Sequence, residues 1–215
     1  MVDIYYNREG ANSFICINEK NEGFLVDPSV AFDGGLIDHI KKINVKLVAI
    51  LITHGHWDHI GSLEEICKLN PGIPVYISDE ESEFLTNTDL NLSVAAQKEG
   101  YQVRVLTYLP DNLIKVNDGD QLNIAGFKID VILTPFHTRG SACYVVTSEK
   151  ALFAGDTLFF STVGRTDLPT GNARQMESSL RKLKNLPDDL KIYSGHGAVT
   201  RLEREKKYNS YLKNI

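Results

Sequence analysis

Cysteine is scarce in this 215-residue chain: Cys16, Cys67 and Cys143 are odd in number, widely spaced and each set among apolar residues. Such a set excludes a disulfide framework and suits reduced thiols in a core, which points to a cytoplasmic protein. Long apolar runs are missing as well. The longest uninterrupted one, Leu47 to Ile52, is far short of the ~20 residues that a membrane helix needs. Met1 to Gly10 lacks the basic stretch followed by an apolar stretch that marks a secretory leader, so no membrane partner is expected. Positive charge is in deficit: 23 Lys and Arg against 28 Asp and Glu leave −5. That balance gives no basic footprint for nucleic acid, which is therefore not an expected partner. Low-complexity tracts, flexible linkers and short repeats are absent too, leaving one packed α/β domain over residues 1–215. A chain of this length buries roughly 70% of its unfolded surface and needs no disulfides for stability. Histidine is the last scarcity, with six residues, five of which fall in motifs.

Apolar alternation at Ser13 to Asn18 and Gly23 to Asp27 predicts a β-hairpin that stops at Asp27-Pro28. Gly34-Gly35 precede a helix-period segment (Leu36, Ile37, Ile40, Ile43), which feeds a buried strand at Lys46 to Thr53. A helix at Ile60 to Leu69, a strand at Ile73 to Ser78 and a polar helical stretch somewhere between Asp79 and Lys98 follow. A second β-rich block then opens: two strands within Gln121 to Thr134, and others at Ala142 to Thr147 and Ala151 to Ala154. The last quarter holds a Gly/Pro-bearing loop from Gly164 to Gly171, a helix from about Ala173 to Leu186, a strand at Leu190 to Tyr193 and helix from about Arg201. The run Arg201 to Lys207 alternates in charge sign and reads as a solvated helix face.

The strongest strand ends in Thr53-His54-Gly55-His56-Trp57-Asp58-His59-Ile60-Gly61. His54 and His56, two apart in an extended segment, can point the same way and share one metal ion; Asp58 and His59 can turn toward a second at the start of the next helix. Imidazole with carboxylate suits zinc, iron or manganese. Further candidate pieces follow predicted strands: Thr134-Pro135-Phe136-His137-Thr138, Gly155-Asp156-Thr157-Leu158-Phe159 and Ser194-Gly195-His196-Gly197. Strand ends gathered at one edge of a layered α/β domain are where sites are built, and an adjacent glycine permits close backbone approach.

His54-x-His56-x-Asp58-His59, followed in order by His137, Asp156 and His196, resembles the metallo-β-lactamase-fold hydrolases over nearly the whole chain. Gly164-Arg165-Thr166-Asp167-Leu168-Pro169 and the segments around His137, Asp156 and His196 are most similar to the glyoxalase II branch, in its short bacterial form. The resemblance implies an αββα sandwich. It also implies two divalent ions, zinc foremost with iron or manganese as alternatives. His54, His56 and His137 would bind the first ion and Asp58, His59 and His196 the second, with Asp156 bridging and Asp58 and His59 catalytic. The two ions would hold a shared hydroxide that attacks the carbonyl of a small-molecule thioester, an acyl-glutathione or another small acyl thiol. Arg165 stands where the branch places a basic residue against a substrate carboxylate; a purely structural tie to Asp167 is the equal alternative.

Some positions depart from the branch pattern. Phe136 replaces a small residue beside His137 and is expected to reshape the substrate pocket. Asn172 replaces an Asp and can still cap the following helix. The helical carboxy-terminal domain that completes the glutathione site of full-length glyoxalase II enzymes is not expected here. Tyr144, Trp57 and Phe159 are expected in core or pocket wall, Asp27 in a structural turn, and His39 on a solvated helix face. The competing readings are a mononuclear-iron persulfide dioxygenase on the same fold, an RNA phosphodiesterase, and a metal-binding scaffold without catalysis.

Overall fold

Backbone alternation sets the layering. In the computed structural model, which describes residues 1–7, 10–30 and 35–215, most central strands are buried on both faces. In β2 (Ser13–Ile17), Phe14 and Cys16 point to one core while Ile15 and Ile17 point to another. In β9 (Ala142–Val146), Ala142, Tyr144 and Val146 alternate in the same way with Cys143 and Val145. A period of two with apolar residues on both sides can be satisfied only by cover on both sides.

The first sheet runs β1 (Val2–Tyr5), β2, β3 (Glu22–Val26), β4 (Lys46–Leu51), β5 (Val75–Ser78), β6 (Leu113–Val116), with β3 to β6 parallel. The second contains β7 (Gln121–Ile124), β8 (Phe127–Leu133), β9, β10 (Ala151–Gly155), β13 (Lys191–Ser194) and β14 (Thr200–Arg201), in the order β14-β13-β10-β9-β8-β7. A two-stranded ribbon, β11 (Leu158–Phe159) with β12 (Thr162–Val163), follows β10. Phe14, Phe24, Phe127, Phe153 and Tyr193 fill the space between the sheets, with ring centroids such as Phe14–Tyr193 at 5.4 Å. Burying each such side chain contributes ~1.5–3 kcal/mol. On the outer face of the first sheet lie α1 (Gly35–Ile43), α2 (Trp57–Ile60) and α3 (Leu63–Leu69). On that of the second lie α5 (Ala173–Lys184), α6 (Leu202–Tyr208) and α7 (Ser210–Lys213). This is the expected αββα sandwich.

Several local expectations change. The helix expected over Ile60 to Leu69 starts at Trp57 and breaks at Gly61-Ser62, because Gly61 lies against Val30: a Cβ on Gly61 would stand 2.6 Å from Val30 Cα. The stretch between Asp79 and Lys98 resolves into a 3₁₀ helix (Asp79–Leu85) and α4 (Ser93–Lys98). Strands β1, β6, β11, β12 and β14 had no counterpart in the sequence reading. Asn172 caps α5, its side chain accepting from Arg174 N at 3.1 Å. The three cysteines are free and buried, and burial raises the Cys16 thiol to about 12 and those of Cys67 and Cys143 to about 11. Two surface assignments are corrected. His39 pairs with Asp3 and packs on Tyr5. Glu205, inside the alternating-charge run, is fully buried. Gly34 lies outside the described residues. Among the described residues no helix is long and apolar enough to cross a membrane.

The site edge follows from this arrangement. Strands β10 and β13 are parallel, β9 is antiparallel to both β8 and β10, and so β8, β10 and β13 end at the same edge of the second sheet. That edge is stitched to the end of β4 by Ala142 N–H to Thr53 C=O at 2.8 Å and Tyr144 OH to Ile52 C=O at 2.9 Å.

Candidate metal centre

After β4 the chain bends at Thr53, is extended at His56 and then turns into α2, bringing Asp58 and His59 round to the side already occupied by His54 and His56. The turns after β8, β10 and β13 bring His137, Asp156 and His196 to meet them. Three overlapping groups result, each with its candidate ligand atoms within 4.8 Å of one another: His54, His56 and His137; His54, His59 and Asp156; Asp58, His59 and His196. In the first, His56 Nδ1 lies 3.0 Å from His54 Nε2 and 3.1 Å from His137 Nε2. In the last, Asp58 Oδ2 lies 3.1 Å from His196 Nε2 and 3.9 Å from His59 Nε2. Asp156 stands between: Oδ1 is 3.3 Å from His59 Nε2, and Oδ2 is 3.5 Å from His137 Nε2 and 3.6 Å from His196 Nε2. All seven residues named from the sequence are thus brought together.

The far sides of the rings are held as well. His59 Nδ1 is 2.8 Å from Asp27 Oδ2, and Asp27 also accepts from Thr53 N and Thr53 Oγ1 at 2.7 Å each. His137 Nδ1 is 2.9 Å from the carbonyl oxygen of Arg165. Such contacts fix the tautomer and aim the opposite nitrogen. Asp27, expected only as a turn residue, therefore orients His59. No local sequence signal marks this, since its partners are 26 and 32 positions away.

Burial, and then the neighbouring imidazoles of His59, His56 and His137, hold His54 well below the usual histidine pKa. Burial and then His137 bring His56 down to about 3. Both are neutral lone-pair donors at ordinary pH. For His59 burial also disfavours the cation, but Asp156, Asp27 and Asp58 outweigh it and raise the pKa well above the usual value. Asp156, despite its burial, is held well below the carboxylate range by His59, His196 and His137. The cluster thus offers neutral imidazoles at His54 and His56 and an ionised carboxylate at Asp156, beside a His59 whose carboxylate neighbours favour its cation; imidazole with carboxylate is the donor set of borderline divalent metals. One further observation tests the fit. Among the described residues, His56 Nε2, His59 Nε2 and Asp156 Oδ1 are buried with no hydrogen-bond partner, although the last two are neighbours across the cluster. Orphaned polar atoms of this kind require a partner such as an ion.

The cluster floors a cavity of about 460 Å³, with apolar walls that include Trp57, Leu92, Tyr101, Phe159 and Leu168, and with Arg165 also in the lining. Arg165 forms a two-pronged ion pair with Asp167, at 2.6 and 2.7 Å, which is the structural tie anticipated for it. Phe136 is a correction: fully buried, it packs in the core formed with Leu180 and Leu183 of α5 and does not line the cavity. Its carbonyl accepts from Asn172 N at 2.8 Å, which pins that turn onto the α5 side while His137 faces the cluster.

An αββα sandwich with a His/Asp cluster along one edge defines a class of metal-dependent hydrolases, and comparison with known proteins agrees. Residues 7–196 match the metallo-beta-lactamase superfamily. A Streptococcus pyogenes serotype M6 protein named "Probable metallo-hydrolase" is 36% identical over 94% of this chain and 85% of its own length. The hydroxyacylglutathione hydrolase GloC of Haemophilus influenzae is 34% identical over 93% of this chain and 91% of its own. Among solved structures, the BLEG-1 B3 metallo-beta-lactamase superposes with a TM-score of 0.88 at 31% identity, covering 100% of both chains. TTHA1623 in a di-iron-bound form gives 0.82 at 25% identity, covering 96% of this chain and 98% of that one. The chain belongs to the metallo-beta-lactamase superfamily.

Proposed function

We propose that His54, His56 and His137 hold one divalent ion, that Asp58, His59 and His196 hold a second, that Asp156 bridges them, and that the chain hydrolyses a small acyl thioester. The observation that carries the two-ion reading is Asp156, whose two oxygens lie within 3.6 Å of imidazole nitrogens from both triads. The preferred metal is zinc, with iron or manganese as alternatives, because five of the six donors around Asp156 are imidazoles and none is a thiolate. Bound there, the ions supply Lewis acidity toward a carbonyl oxygen and lower the pKa of a water toward about 7.

The chain's own residues do the rest. Asp58 and His59, adjacent on α2, bring a carboxylate and an imidazole to the same ion and so belong to the catalytic set. Asp27 keeps the His59 proton on Nδ1, leaving Nε2 free to face Asp156. Trp57, Leu92 and Tyr101 keep one side of the cavity apolar, and its volume lies in the range of small-ligand pockets. Arg165, exchanging part of its pairing with Asp167, offers a planar donor fork to a substrate carboxylate. The likeness to GloC supports an acyl-glutathione as the first substrate to try.

The test is hydrolysis of a panel of lactoyl and acetyl thioesters of glutathione and of smaller thiols by metal-loaded protein. Turnover that is lost in His54→Ala and Asp156→Ala is expected. Full activity in either variant, or oxygen consumption on glutathione persulfide with no thioester cleavage, would overturn the proposal.

A further inference from the structure

The three imidazoles of the first triad come from two separate turns, one after β4 and one after β8. The bases of these turns meet in the Ala142 N–H to Thr53 C=O bond at 2.8 Å; beyond it, a buried carboxylate reaches the main chain of both. Glu81, in the 3₁₀ helix after β5, is 0% accessible to solvent. Its Oε2 accepts from the N–H of Gly55 at 2.8 Å, between His54 and His56. Its Oε1 accepts from the N–H of Gly140 at 2.9 Å, in the turn that begins with His137. The Thr138 hydroxyl, next to His137 and 2.6 Å from Ser141 Oγ, also favours its ionised form.

The glycines agree independently. A Cβ on Gly55 would stand 2.3 Å from Phe84 Cβ, and one on Gly140 would stand 2.5 Å from Ser78 Oγ and 2.9 Å from Glu81 Cγ. Both turns thus have glycine where they press on the same short helix. Two further ties hold the second turn there: Ser78 Oγ donates to Gly140 C=O at 2.6 Å, and Arg139 Nε donates to Glu80 C=O at 3.1 Å. A buried carboxylate is costly unless its oxygens are used, and here each of them accepts from a loop amide. The other triad depends on different contacts, with Asp27 behind His59 and Asn12 N–H bonded to Gly195 C=O at 2.6 Å.

We propose that Glu81 is the positioning residue of the His54, His56 and His137 triad, setting the separation of the two turns that carry it. Glu81→Gln keeps the shape but turns one acceptor into a donor that faces an amide N–H, so the two turns cannot both stay docked. The inference rests on the two-ion reading above and not on the substrate.

The test is competition of the protein with a chelator for Zn²⁺, resolving the affinities of the two ions, together with the visible spectrum of the Co²⁺-loaded chain. His196→Ala identifies which affinity belongs to the other triad. In Glu81→Gln one ion, not the one lost in His196→Ala, is expected to bind ~10–100-fold more weakly and its Co²⁺ spectrum to change, while the other stays within about twofold. Equal weakening of both ions, or of neither, overturns the proposal. Should Glu81→Gln fail to fold, Thr138→Val removes the hydroxyl beside Glu81 together with its bond to Ser141 Oγ in the second turn, and is expected to weaken the same ion about threefold; no change in either ion then overturns it. A wild-type chain that binds fewer than two ions would instead sink the two-ion reading itself.

Discussion

Gly195→Ala places one methyl group inside the candidate metal centre. The added carbon would lie 2.4 Å from Asp156 Oδ1, 2.5 Å from His59 Cε1 and 3.0 Å from His59 Nε2. Gly195 is not among the residues with left-handed backbone, so the main chain accepts alanine and the whole cost falls on the site. Relief requires the Asp156 carboxylate and the His59 ring to move by about 1 Å, well beyond the ~0.2 Å that metal–ligand distances tolerate. Overpacking of this kind costs ~1–3 kcal/mol, which for a chain of this size is a melting point lower by roughly 2–12 °C. Misplacement by about 1 Å costs ~10²-fold in rate. The assay is thioester kcat/KM beside ion content and a melting curve on the same sample. Gly197→Ala is the control: a methyl there meets nothing within 4 Å, and the left-handed backbone at φ +79 costs about 1–2 kcal/mol without touching the ions. A Gly195→Ala protein with two tightly held ions and kcat/KM within about threefold of wild type would refute the reasoning.

Three more outcomes follow from the contacts. In Asp27→Asn the amide oxygen must keep the Thr53 N–H, so the NH₂ faces His59 Nδ1 and drives the ring proton to Nε2; Zn²⁺ affinity is expected to fall ~10–100-fold in chelator competition, and unchanged affinity would contradict this role. Glu205→Ala strips an acceptor from Ser161 N, Thr200 Oγ1, Arg204 Nη1 and Asn209 Nδ2 and should cost ~3–5 kcal/mol by urea denaturation. Exposed Glu203→Ala should stay within about 0.5 kcal/mol, and equal effects of the two would restore the solvated-face reading. With chelator present, His54 and His56 have folded pKa values below the unfolded histidine value, so on acidification the unfolded chain takes up protons first. Stability from these two groups is full above about pH 6.5 and is lost as pH falls toward 3, so the melting temperature should drop between pH 6.5 and 4; a flat or rising profile would contradict their burial as neutral rings.

The metal-site candidates were legible because their chemistry is compressed: four ligand-type residues within six positions after the strongest strand, and three more at later strand ends, Asp156 and His196 beside glycines. The central strands were legible because burial on both faces leaves nearly continuous apolar runs. Edge elements were not, since β1 and β6 are four residues each and carry mixed polarity. Long-range polar contacts were hidden for a different reason. Glu81 sits in the run Asp79-Glu80-Glu81-Ser82-Glu83 and Glu205 in an alternating-charge run, and nothing local separates the one buried carboxylate in each from its solvated neighbours. Phe136 misled because adjacency to His137 in sequence was taken for adjacency in space, whereas the turn sends its ring to the opposite side.

The most direct test of the account is metal content and thioester turnover measured on one sample, purified without added metal and then titrated with Zn²⁺. The account predicts saturation at two ions per chain, with hydrolysis rising as the second ion binds. A single tightly held ion per chain, with no thioester cleavage at any metal loading, would contradict it.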